Sequence, residues 1–270
     1  MPGKFLEEKE LAILDEKIRS LDPAHNIHYS VLNPELSASL RRDFYNKILV
    51  CLVYKKDQLV GFSYYFIFNK NPALVHLGLV YFARPSAPGI IVAMYVLAHY
   101  ILYAIIGRHY VTNISHIPWV VGQVGRYYRH CWPTYKNYLE TPPRNFARIL
   151  RILEKRYIRK YYDNPDLVQI DYNKFIITEY ASGFKREFSK LKMDRCEKVN
   201  QFCQSMIQYP NEEDIIQLAR VGGWFDKTAY FPLYAPLVLF LKGFEYKPGF
   251  VFPKWSVLGT KEFDAKELES

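Results

Sequence analysis

Cysteine is scarce in this chain. The four present, Cys51, Cys131, Cys196 and Cys203, form no CxxC pair and accompany no paired-histidine motif. That spacing argues against a zinc site, and so few thiols cannot staple a disulfide scaffold. The strings GxSxG, HExxH, GxxxxGK[ST] and GxGxxG do not occur. Their absence removes the esterase elbow, the zinc-protease helix, the P-loop and the dinucleotide fingerprint. No apolar segment follows the opening Met-Pro-Gly-Lys-Phe, so a secretory leader is not expected and the cytoplasm is the expected compartment. Residues 90–106 carry no formal charge, yet these seventeen residues include His99 and three tyrosines. A membrane span needs ~20 predominantly apolar residues, so a buried core helix is the reading.

What is plentiful is aromatic and basic. Half of the 270 residues are hydrophobic, with 23 Tyr and 18 Phe, enough apolar surface for a sizeable core and incompatible with global disorder. Tyrosine packs as an apolar body with a hydroxyl left to place. A net charge of +9 welcomes an anionic partner: a phosphate-bearing cofactor, an anionic membrane or a nucleic acid.

Along the chain, Leu6, Leu11, Leu14, Ile18 and Leu21 recur at helical intervals over 5–22, and a second short helix is expected at 34–46. The period then changes. KILVCLVYKK, LVGFSYYFIFN and ALVHLGLVYFA predict three consecutive strands in an antiparallel meander. The turn Arg84-Pro85-Ser86-Ala87-Pro88-Gly89 precedes the 90–106 helix, and HYVTNISHI (109–117) reads as a further strand. Residues 119–132 fit a helix in which Gly122 and Gly125 serve close packing. After Pro142-Pro143, an amphipathic helix sets Phe146, Ile149, Leu150, Leu153, Tyr157 and Tyr161 against Arg144, Arg148, Arg151, Lys155 and Arg159. A strand is expected at 169–180. Residues 184–220 read as helical, broken at Pro210, with Asn211 as an N-cap and Glu213 and Asp214 in the next turn. Prolines 232, 236 and 248 forbid one continuous helix over 229–252. The fold class is α/β (α+β): a mixed, mostly antiparallel central sheet flanked by helices, with a core at 1–143 and a basic helical extension at 144–270 packed on it.

The order strand (73–83), turn (84–89), helix (90–106), strand (109–117) and helix (119–132) resembles the core of the GNAT superfamily of N-acyltransferases, over about 47–135. In that family backbone amides in the turn cradle the pyrophosphate of coenzyme A, by the same physics that draws anions to helix N-termini. The resemblance implies acyl transfer from an acyl-CoA or acyl-carrier thioester to an amine. Arg84, Ser86, Ala87, Gly89, Ile90 and Ile91 would then hold the cofactor, with Asn113 on the pantetheine amide or the substrate. This turn is longer than the family's Gln/Arg-x-x-Gly-x-Gly/Ala pattern, and Pro85 and Pro88 remove two amide donors. Tyr127, or its neighbour Tyr128, corresponds to the tyrosine that caps the leaving thiolate. His116 or His76 would serve as base, since unperturbed imidazole titrates near neutrality. No metal is expected.

Between 126 and 163, ten Lys/Arg stand against three Asp/Glu. Such a basic helix is attracted to an acyl carrier protein or an anionic membrane surface. The alternative function is therefore a catalytically degenerate GNAT-like binding protein that docks such a partner. Nucleic acid is not expected, because no RRM, KH or helix-turn-helix signature accompanies the charge. The acidic tail loosely resembles the secretion tails of bacterial type IV effectors.

Overall fold

The structure, a computed structural model, describes residues 13, 16, 21, 47–55, 58–70, 72–82, 88–162, 165–179, 187–209, 213–222 and 246–251, without the side chains of 69, 70, 79, 82, 88–96, 179 and 246–251. In chain order the principal elements are β1 (Ile48–Lys55), β2 (Gln58–Lys70), β3 (Ala73–Phe82), α1 (Pro88–Ile106), β4 (His109–Ser115), α2 (Pro118–Tyr127) and β5 (Cys131–Trp132). They continue with α3 (Phe146–Leu153), β6 (Val168–Asp171), β7 (Ile176–Glu179), α4 (Glu197–Met206), β8 (Glu213–Val221) and β9 (Tyr246–Val251). The class is α+β, with mixed, mostly antiparallel strands and flanking helices, as the strand-like runs and helical periods predict. The chain divides into two compact units, Met1–Gly107 with Leu233–Ser270, and Arg108–Pro232.

In the first unit, β9, β1, β2 and β3 pair antiparallel in that order, with Leu52 opposite Phe62 and Val53 opposite Pro248. A strand with neighbours on both edges reads as a near-continuous apolar run when both faces are covered. Accordingly, Ile48, Leu49, Val50, Cys51, Leu52 and Val53 are all buried. The β1–β3 meander is where the apolar runs and their turn residues place it. Helix α1 buries Ala98, His99 and Leu102, and the His99 ring meets Tyr65 edge-on at 5.7 Å. It ends at Gly107, whose φ of 66° is left-handed and whose N–H bonds Tyr103 O at 2.9 Å. Only glycine takes that C-terminal position without a Cβ penalty.

In the second unit β8 is central. It pairs with β4 on one edge, from His109 opposite Val221 to Ser115 opposite Ile215. On its other edge it pairs with β7 and the two-residue β5, and β6 continues beyond β7. This corrects the helical reading of 184–220. Residues 197–206 are helical, but Glu213–Val221 is a strand whose positions 214–219 are all buried. Apolar residues at 215, 216, 218 and 219 satisfy a helical period as well as a covered strand, and periodicity alone does not separate the two. Helix α2 is also shorter than expected. It stops at Tyr127, Tyr128 turns extended at φ −110°, ψ 114°, and Cys131–Trp132 join β8. Pro133 disfavours helical backbone in the residue before it.

Helix α3 has the faces the sequence predicts. Phe146, Ile149, Leu150, Leu153, Tyr157 and Tyr161 are buried, while Arg144, Arg148, Arg151, Lys155 and Arg159 are exposed. It continues through a π-helical turn, Glu154–Ile158, into Arg159–Tyr161. The expected helices at 5–22 and 34–46 lie outside the described residues apart from single positions, as do Asn211 and most of 229–252. Among the described residues no helix is long and apolar enough to cross a membrane.

Candidate functional site

Chemistry-bearing side chains concentrate in the second unit, where β4 leads into α2. Pro118 opens α2 at a position whose missing N–H costs nothing. Ile117 N–H bonds Ser115 Oγ at 3.1 Å, and Trp119 N–H bonds Lys192 O at 3.1 Å. Lys192 returns its ammonium over the Trp119 ring, 3.6 Å from the centroid. The helix start is therefore held by the segment preceding α4.

His116 sits at that junction. Its Nδ1 lies 2.7 Å from Asp214 Oδ1, with the imidazole 23% exposed and the carboxylate 11%. Tyr209 donates its hydroxyl to His116 O at 2.9 Å. The β4–β8 register explains the pairing: the ladder ends with Ser115 opposite Ile215, so His116, the residue after β4, comes beside Asp214, the preceding residue of β8. The sequence marks His116 but not Asp214, which the helical reading of 184–220 leaves in the turn after Asn211. Only the antiparallel pairing of 213–221 with β4 brings the two together.

A second cluster ties α2 to α4. Arg126 Nη1 and Nη2 donate to Asp194 Oδ1 and Oδ2 at 2.9 and 2.5 Å. The amide of Cys196 also donates to Asp194 Oδ1, at 2.8 Å. Burial works to raise the Asp194 pKa. The hydrogen bonds from Arg126 and the Cys196 amide, with the charges of Arg126 and Arg195, overturn that and hold the carboxyl below its ordinary range. Asn200 locks the same loop, accepting from Asp194 N and donating to Asp194 O. Gly122 and Gly125 do pack closely: Gly122 faces Asp194 and Val199, Gly125 faces Thr134.

The other expected site residues divide by environment. Asn113 is buried, and its amide donates to Gln217 Oε1 at 3.1 Å, while Gln217 Nε2 serves Val121 O and Pro133 O. That network joins β4, β8 and the loop after β5. Tyr127 is partly exposed at the end of α2, and Tyr128 is 2% exposed within the core. His76 lies in β3 of the first unit, where burial pushes its pKa down to about 3 and keeps the imidazole neutral. Gly89, Ile90 and Ile91 form the start of α1. Arg84, Ser86 and Ala87 lie outside the described residues. Of the cysteines, Cys51, Cys131 and Cys203 are buried, and desolvation pushes their thiols up. Among the described residues no group of three or more His, Cys, Asp or Glu converges as a metal site would.

The chain matches no family model, no curated protein and no solved structure.

Proposed function

We propose that the chain is an N-acyltransferase, moving an acyl group from an acyl-CoA or acyl-carrier thioester to an amine. The observation that supports the reading is the chain order β3, α1, β4, α2, the order of the GNAT core. His116, at the end of β4 and bonded to an acid, is the base in this reading. His76 is the weaker choice, because a buried imidazole held neutral at about pKa 3 is a poor proton acceptor near pH 7.

The reaction needs a neutral amine. Its nitrogen attacks the thioester carbonyl, the N–C bond forms, and the C–S bond breaks as the thiolate leaves. His116 takes the proton released by nitrogen. Tyr127 donates to the thiolate sulfur, and the proton held on His116 returns by solvent to restore the phenol. Arg84, Ser86, Ala87, Gly89, Ile90 and Ile91 hold the cofactor phosphates, with dipole and amides at the start of α1 attracting the anion. Asn113, whose amide donates to Gln217 Oε1 in the network that joins β4 to β8, is in this reading the residue that meets the pantetheine amide or the substrate.

Calorimetric titration with acetyl-CoA, a long-chain acyl-CoA and free CoA tests this. Micromolar binding that weakens at least tenfold in Arg84→Ala, with thiol release on adding an amine acceptor, is the expected result. No binding by any of the three, and no consumption of an acyl-carrier thioester, would overturn it.

The second reading, a binding protein without turnover, is favoured by one observation. Arg144, Arg148, Arg151, Lys155 and Arg159 form an exposed stripe at helical spacing, attractive to an anionic membrane or an acidic carrier protein. Sedimentation with phosphatidylglycerol vesicles that fails with phosphatidylcholine vesicles and in high salt, in a protein that binds no thioester, would establish it. Loss of turnover with intact thioester binding in Tyr127→Phe would exclude it.

A further inference from the structure

Among the described residues of the second unit two aspartates are buried, Asp194 and Asp214, and their side chains meet different groups. Asp194 meets a guanidinium in two parallel hydrogen bonds and a backbone amide. These are partners that do not change protonation near neutrality, which is how a structural carboxylate is satisfied. Asp214 is 8% exposed, and its side chain meets an imidazole 2.7 Å away that is partly open to solvent. An imidazole has two nitrogens with distinct roles, and the group bonded to one decides the state of the other. A buried acid placed on a partly exposed histidine is therefore a device for fixing a tautomer.

The backbone around the pair is held from three sides. β4 and β8 are laddered up to Ser115 opposite Ile215. Tyr209 binds His116 O at 2.9 Å, and Ser115 Oγ takes Ile117 N–H. Asp214 itself lies in β8, opposite Ile177 of β7, so the acid stands on a strand covered along both edges. Rigid strands keep such constellations more accurately than loops do.

We propose that Asp214 is the positioning residue for His116: its carboxylate accepts the Nδ1–H, so that the neutral imidazole presents the Nε2 lone pair as the proton acceptor. The proposal rests on the N-acyltransferase reading and names a further member of the same site. In the step itself, the amine nitrogen bonds the acyl carbon, the thiolate departs, and the amine proton passes to Nε2. The positive charge that the imidazolium acquires then faces the Asp214 carboxylate, 2.7 Å from Nδ1. The same logic governs triads in which a buried carboxylate orients a histidine without itself being protonated.

Two readouts test it. Nitrogen NMR of protein labelled at histidine reports the tautomer of His116 in the absence of any thioester. The neutral ring is expected as Nδ1–H in the unmodified protein and as Nε2–H in Asp214→Asn, where the amide offers a donor in place of an acceptor. Under the transfer assay, Asp214→Asn is expected to lower kcat on the order of a hundredfold or more, with KM for the thioester within twofold. Asp214→Glu recovers part of the loss, and the Asp214→Asn, His116→Gln double variant is no worse than His116→Gln alone. Melting temperatures of all variants separate this pattern from unfolding. A neutral Nε2–H tautomer in the unmodified protein, or a kcat in Asp214→Asn within threefold of it, overturns the proposal. If the unmodified protein transfers no acyl group while His116 is Nδ1–H, the acyltransferase reading fails and takes the catalytic role with it. The tautomer result identifies which of the two was wrong.

Discussion

Gly122 and Asp194 share one site. A methyl group on Gly122 would stand 2.4 Å from Asp194 Oδ2 and 2.9 Å from its Cγ, so the carboxylate reaches Arg126 only because α2 has no side chain there. The glycine, the acid and the arginine form one arrangement that fastens α2 beside α4.

Gly122→Ala is expected to destabilise the protein by about 1–3 kcal/mol, the usual cost of overfilling a packed site. This opposes the gain of about 1 kcal/mol that alanine normally brings to a helix interior. Urea unfolding of the two proteins decides the sign, and an alanine variant as stable as the parent would sink the argument.

Arg126→Met leaves Asp194 enclosed without its main partner. The cost is on the order of 2 kcal/mol, below the 3–5 kcal/mol of a fully buried pair because Arg126 is 39% exposed. Asp194 titrates below its ordinary range in the folded state. Its contribution is therefore present above the unfolded value near ~3.9 and is lost as pH falls through the folded one. Denaturant unfolding between pH 5 and pH 2.5 is expected to show a shallower acid loss in the methionine variant than in the parent.

His76 supplies the opposite kind of titration. Burial holds its folded pKa at about 3, well under the ordinary 6.5. The unfolded chain therefore binds a proton between those values that the folded chain refuses. Stability is complete above pH 6.5 and declines as pH falls toward 3, at up to about 1.4 kcal/mol per pH unit from this group. His76→Leu, neutral at every pH, is expected to flatten the stability profile between pH 6.5 and 4, whatever it does to stability at pH 7. Parallel profiles would remove His76 as the cause.

Phe175 holds a φ of 58° in the β6–β7 turn, yet its ring is wholly buried and packs against Trp132 at 4.6 Å. Packing holds a conformation that glycine would take without penalty. Phe175→Ala is expected to cost about 3–5 kcal/mol for the lost ring. Phe175→Gly is expected to cost about 1 kcal/mol less than alanine, reversing the usual order because the backbone is left-handed. Thermal unfolding of the two variants ranks them directly.

Residue pattern alone carried the local structure wherever one period dominated. The apolar runs at 47–69 and 73–82, cut by turn residues near 55–58 and 69–72, specified β1 to β3, because a strand covered on both faces reads as a near-continuous apolar run. The spacing of Phe146, Ile149, Leu150, Leu153, Tyr157 and Tyr161 specified the buried face of α3, with its arginines outward, for the corresponding helical reason. His116 stood out as a titratable residue ending a strand.

Its partner was legible only in three dimensions. The run at 213–221 satisfies two periods at once, and pairing with β4 on one edge and β7 and β5 on the other made it a strand. That choice set Asp214 opposite His116, 98 residues away. Arg126 and Asp194 are 68 residues apart, and nothing near either in the sequence announces the other. Local pattern fixes which face of an element is apolar, because that depends on neighbours within one turn or one pleat. Which polar groups meet depends on strand order and register, and those are decided by burial summed over the whole unit.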